Sequence, residues 1–259
     1  MSLDVWETAL AVVLATWATG RMVHGEDHDV WRRVGLDRAA WAPRSVLLGL
    51  VVGVLVLAVP VVLMVATRQM RFESATAIES TFVVVWSAIA LLLPAAVWEE
   101  LLMRGYVFSA LRDGAGVNAA VIITSVGFGL AHVTNPDPSL ISLIAVTFAG
   151  IFLAFVRLVT GSLVAAIAAH LAFNLTQTVV LHAPVIGLAL QTPGYRLVPV
   201  GPAWLTGGEW GPEGGIAVIV TLTLASFLLL KRSTPMSTPM STPMSAPTPA
   251  PEETERTQP

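Results

Sequence analysis

Between Ser45 and Thr67 lie 23 residues without a single charge. As a helix rising 1.5 Å per residue, such a run crosses the roughly 30 Å hydrocarbon core of a bilayer. Further apolar runs follow, and the pattern predicts crossings near 4–22, 45–67, 81–113, 117–134, 139–159, 161–182 and 214–230. The chain is 12% charged, about half the fraction usual in a soluble domain, and its mean hydropathy is +0.75. A transmembrane β-barrel would instead alternate apolar and polar residues in segments of about ten. The expectation is an all-α, polytopic transmembrane helical bundle of about seven to eight membrane helices, with the lipid bilayer as its first partner.

The first apolar stretch, Val5 to Thr19, has Asp4 and Glu7 near it and no basic leader, so it reads as a first helix rather than a cleaved signal. Residues 24–44 carry Trp31, Arg32, Arg33, Arg38, Trp41 and Arg44, the composition of an interfacial amphipathic connection, with His24 and His28 solvated. Gln191–Gly215 is rich in Gly and Pro and reads as a loop or re-entrant segment. The membrane domain thus spans 1–231. From 232 to 259 the chain repeats Ser-Thr-Pro-Met three times and turns Pro- and Glu-rich, a composition expected to stay disordered.

Seven alternating crossings would leave 11 Arg and Lys on one side and 3 on the other, placing the C-terminus in the cytoplasm. One lysine against 13 arginines, with abundant Ala and Val, suggests a GC-rich bacterial genome and so a bacterial plasma membrane. Net charge is −3 with no basic cluster, so no nucleic-acid partner is expected. The absence of cysteine removes disulfides, thiolate metal ligands and a cysteine nucleophile.

Three patterns break the apolar helices: Glu99-Glu100-x-x-x-Arg104, Phe128-x-x-x-His132 and His170-x-x-x-Asn174. Ionisable groups inside a membrane are costly and by default pair or line a functional cavity. Residues 81–113 would span about 50 Å as one helix, with a kink or new start expected at Pro94. Counted from the Gly114-Ala115-Gly116 turn, Glu99 and His132 sit at about the same depth, roughly 21–23 Å. Counted from the Thr160-Gly161 turn, His170 and Asn174 lie at roughly 14 and 20 Å. Four polar groups from distant segments therefore share one slab.

Glu100 and Arg104 have the i,i+4 order that favours an ion pair, which leaves Glu99, about 100° around the helix, free to face a cavity. Amide hydrolysis needs an activated water, donors for the oxyanion and a proton for the leaving amine. Glu99 suits the general base, with His132 sharing or orienting the water. His132, His170 and Asn174 suit oxyanion stabilisation. Glu100 and Arg104 would hold the helix and the local field. Phe128 and Phe173 would wall the pocket, while Trp98 and His182 read as packing residues. Zinc on Glu99, His132 and His170 is the alternative. The metal-free reading, with no cofactor, is preferred because no His-Glu-x-x-His helix is present.

These patterns, written out as Trp98-Glu99-Glu100-Leu101-Leu102-Met103-Arg104-Gly105-Tyr106, Phe128-Gly129-Leu130-Ala131-His132 and His170-Leu171-Ala172-Phe173-Asn174, resemble the three signature motifs of the CAAX protease and bacteriocin-processing (CPBP, or ABI) family. That family includes the type II CAAX prenyl endopeptidases. The resemblance covers about 92–182, and Met103 departs from it, standing where an aromatic is common. It implies an intramembrane endopeptidase with the first Glu as base and the last His and Asn as oxyanion donors, acting on a peptide or membrane-protein substrate. Family members have been described both as metalloproteases and as glutamate proteases. A transporter would also keep charges in mid-membrane but should show internal repeats. A non-proteolytic scaffold or bacteriocin self-immunity protein of the same fold would be expected to lose a catalytic residue, and all are present.

Overall fold

The polar connection ahead of the first long apolar run folds as a short helix, Asp29–Val34 (α1), and one tight turn at Arg38–Trp41. The computed structural model describes residues 29–76, 80–189 and 194–232, plus Leu10, Leu14 and Trp17 as isolated helical positions. Most of the crossing expected at 4–22, His24 and His28, and all of the tail beyond Arg232 lie outside the described residues. Trp41 is exposed, and the Asp37 side chain caps the turn by accepting from the Ala40 amide. The connection is tied down from behind, because Ser109 Oγ and Arg157 Nη2 both donate to the carbonyl of Arg33, at 2.8 and 3.0 Å.

Pro43 opens Pro43–Ala66 (α2) at the helix start, where a missing N–H costs nothing. After it, Met70–Ser74 (β1) pairs antiparallel with Tyr195–Pro199 (β2), Met70 opposite Pro199. This small sheet corrects the purely helical expectation and occupies part of the segment read as a loop. Buried Met70 and Leu197 stitch it to the helical core.

Thr81–Glu100 (α3) runs through Pro94 without a break. The register changes instead at Leu101–Tyr106, a π-helical turn in which Gly105 leaves helical angles (φ −84°, ψ −109°). A residue without Cβ tolerates that backbone, and such turns recur at functional sites. The chain resumes as Val107–Ala115 (α4), reverses at Gly116 (φ 88°) and returns as Val117–Ala131 (α5). Leu140–Thr160 (α6) starts from a Ser139/Ser142 capping box. Leu163–Leu175 (α7) is extended by a second π-helical turn, Thr176–Val180. A helical turn at Ala203–Thr206 and two tight turns lead into Ile216–Arg232 (α8).

Four segments are long and apolar enough to cross a membrane: Pro43–Ala66, Thr81–Ala115, Leu140–Thr160 and Leu163–Val180. The crossings expected at 117–134 and 214–230 fold as helices of 15 and 17 residues, so among the described residues a count of seven to eight is not confirmed. At 15 residues α5 spans about 22 Å. It stops at His132 because Asn135, Pro136, Asp137 and Pro138 supply turn chemistry rather than another helical turn. Large apolar side chains on the outer faces, such as Leu47, Val62, Ile122, Leu140 and Leu228, stay exposed, as a lipid-facing surface requires.

Inside, α2 crosses α7 at very close range. A Cβ on Gly49 or Gly53 would stand 2.2 Å from the carbonyl oxygen of Ala165 or Ala169. A small-xxx-small stripe of this kind lets backbones approach where no hydrophobic force drives helices together in lipid. Since Ala169 precedes His170, the same contact seats the polar face of α7. Gly53→Leu is therefore expected to destabilise the bundle by about 1–3 kcal/mol or more, readable as a lowered Tm of the detergent-purified protein. The core beneath is built from Leu57, Val61, Phe152, Val156 and Leu222.

Candidate active site

Glu100 and Arg104 are both fully buried, and Arg104 Nη1 donates to Glu100 Oε1 at 3.0 Å. A buried charge needs this pairing and further hydrogen bonds. Arg104 Nη2 donates to the Gly150 carbonyl at 2.9 Å, and the guanidinium lies 4.4 Å from the centre of the Phe128 ring. Gly150 has room for it, since a Cβ there would stand 3.1 Å from Arg104 Nη2. The π-helical turn just after Glu100 carries the arginine into this position.

Glu100 also receives the imidazole of His170, whose Nδ1 is 3.0 Å from the same Oε1. A carboxylate only accepts, so Nδ1 carries the proton. That turns Nε2 towards Glu99, whose Oε2 is 3.8 Å away. His132 is fixed in the same manner: Nδ1 donates to the Phe128 carbonyl at 2.7 Å, leaving Nε2 as the acceptor of the neutral ring. Its position at the end of α5 supplies that unpaired carbonyl. The residue pattern suggested that His132 shares in oxyanion stabilisation as well as in holding water; this tautomer suits holding water.

Glu99, His132, His170, Asn174, Phe128 and Phe173 all line one pocket, with about 620 Å³ of empty space including its mouth. Leu92, Phe152, Leu153 and Leu222 make the rest of the wall largely apolar. Phe128 touches both histidines edge-on, with ring centres 4.9 and 5.9 Å away. Outside the pocket lining, Trp98 is half-buried, and His182 is buried edge-on to Tyr195 at 4.5 Å. Among the described residues no three His, Asp or Glu side chains converge as a metal-binding group. Each candidate histidine has Nδ1 committed to a protein acceptor, which leaves Nε2 as the one nitrogen each ring can offer to water or substrate.

One pocket residue carries no sequence signal of its role. Glu213, in the Pro212–Gly214 turn ahead of α8, is buried and reaches the same cavity, with Oε1 accepting from the Ile186 amide. A lone acid between Pro and Gly before an apolar run looks like a solvated helix start, and only the folding back of 200–215 buries it. Burial pushes its carboxyl up to about 7, and nearby Glu99 adds to this against the Ile186 and Gln177 hydrogen bonds and the charge of His170. A raised carboxyl pKa favours the protonated folded form. The stability it contributes is complete below the ordinary value near 4.5 and is lost as pH rises through about 7. Glu213→Gln should therefore flatten the decline in Tm between pH 5 and 8, a decline worth about 3 kcal/mol at most.

Residues 81–176, from the start of α3 to just beyond Asn174, match the family model for type II CAAX prenyl endopeptidase Rce1-like proteins. No curated protein and no solved structure matches the chain. The helices that carry Glu99, His132, His170 and Asn174 thus lie within a segment that is similar to the Rce1-like type II CAAX prenyl endopeptidases, in a chain whose four long apolar helices point to an integral membrane protein.

Proposed function

We propose that this chain is an intramembrane endopeptidase that hydrolyses peptide bonds of a membrane-associated or peptide substrate in a CAAX-protease-like, metal-free reaction. The supporting observation is the convergence of Glu99, His132, His170 and Asn174, drawn from three helices, on one mostly apolar pocket. Glu99 takes a proton from water, which His132 holds through its Nε2 lone pair. The water attacks the scissile carbonyl. The oxyanion accepts from the Asn174 amide and from His170 Nε2–H, which exists when the ring is the imidazolium because Nδ1–H is already given to Glu100. The protonated Glu99 then passes its proton to the departing amine. Glu100 and Arg104 fix the imidazole without touching substrate. The setting is an integral membrane protein, in our reading of a bacterial plasma membrane.

The test is cleavage of a quenched fluorescent peptide library by detergent-purified protein, with and without a strong chelator. Hydrolysis that survives chelation supports the glutamate reaction. Loss on chelation with recovery on added zinc transfers the chemistry to a metal. No cleavage by folded protein favours a scaffold or self-immunity protein of the same fold.

A further inference from the structure

Part of the pocket wall, at Val185 and Ile186, is a turn that should not be comfortable. Val185 and Leu188 exchange both backbone hydrogen bonds, at 2.9 and 2.8 Å, closing a two-residue hairpin. Its central residues, Ile186 and Gly187, both have positive φ, 48° and 82°. Such a turn favours Asn, Asp or Gly at its first central position, and a β-branched residue there is strained. Strain of this kind persists only where the surroundings impose it.

Three groups impose it here. Gly187 N–H donates to the Trp210 carbonyl at 3.0 Å, Asn135 Nδ2 donates to the Ile186 carbonyl at 3.4 Å, and Ile186 N–H donates to Glu213 Oε1. The first is a backbone contact. Of the two side-chain contacts, the Asn135 bond is long, so the Glu213 bond supplies the larger share of the hold. What the strain secures is a surface: Val185 and Ile186 line the pocket, and Ile186 packs on Phe128, Val146 and Trp210. Phe128 in turn carries the carbonyl that fixes His132.

We infer that Glu213 is a positioning residue whose carboxyl group latches the Val185–Leu188 turn against the pocket, so that Val185 and Ile186 present a fixed wall to the substrate. The latch needs an acceptor, not a charge, so a glutamine carbonyl can replace it. The kinetic consequence rests on the proposed endopeptidase activity; the latch itself does not.

The experiment compares the full-length wild type with Glu213→Met, which fills the space without an acceptor, and Glu213→Gln, which restores one. In Glu213→Met, hydrogen exchange of the Ile186 amide should quicken by about tenfold or more. KM for a cleaved peptide should rise by about tenfold, with kcat changed by less than about threefold. Glu213→Gln should return both to near the wild-type values. Unchanged exchange in Glu213→Met, or a Gln variant as impaired as Met, would overturn the latch. If wild type cleaves nothing, the endopeptidase reading fails while the exchange comparison still decides the latch. Should Glu213→Met fail to fold, adding Ile186→Gly relieves the positive-φ strain and should restore folding, with the amide at position 186 exchanging faster than in Ile186→Gly alone; equal exchange in the two overturns the latch.

Discussion

Glu99→Gln is expected to lower kcat for peptide hydrolysis by about 10²- to 10⁴-fold, the range that general-base catalysis contributes, while Tm stays close to that of the wild type. The two halves of this expectation have separate origins. Glu99 is half-buried, lines the pocket and stands 3.8 Å from His170 Nε2, outside hydrogen-bond reach. Glu100, its neighbour, already holds the other ring nitrogen. Glutamine therefore removes the proton acceptor without breaking a hydrogen bond that holds the fold. KM should move little, because the lost interaction is made with the reacting water. Parallel kinetics and thermal unfolding on the same preparation check both halves. A variant that retains more than about a tenth of wild-type kcat would remove Glu99 from the role of base.

The side-chain geometry was legible wherever it depended on spacing along one helix. The i,i+4 separation of Glu100 and Arg104 was enough to expect their ion pair, and counting residues from two glycine turns was enough to bring His132 and Asn174 to about the depth of Glu99, with His170 one helical turn away in the same slab. Spacing could not show His170 also binding Glu100, because that bond joins two helices 70 residues apart and depends on their rotation. Pro94 starts no new helix, since α3 continues through it, whereas Gly105 permits the angles that shift the register. The pairing of β1 with β2 was hidden for a different reason. The strands are 5 residues each and lie more than 100 residues apart, so neither run announces its partner. Glu213 was invisible for the same reason, since its burial is made by chain that returns from elsewhere.

The largest effect on folding should come from Arg104→Met. It leaves the Glu100 carboxylate fully buried with only the His170 ring as a partner and one oxygen, Oε2, already lacking a hydrogen bond. Removing one member of a buried pair costs about 3–5 kcal/mol, since the other charge stays desolvated. The Gly150 carbonyl loses its donor at the same time. The double variant Glu100→Leu with Arg104→Met removes both charges and is expected to recover most of that stability, because a well-packed apolar pair is often as stable as the ions it replaces. Activity should not recover with it. Without Glu100 nothing holds the proton on His170 Nδ1, the ring can rotate or change tautomer, and its Nε2 no longer has a fixed role towards the oxyanion. The double variant should therefore be folded yet slower than wild type by about 10–100-fold, compared by Tm and kcat side by side. Full activity in a folded double variant would mean that the ion pair serves the fold alone and that His170 is oriented by something other than Glu100.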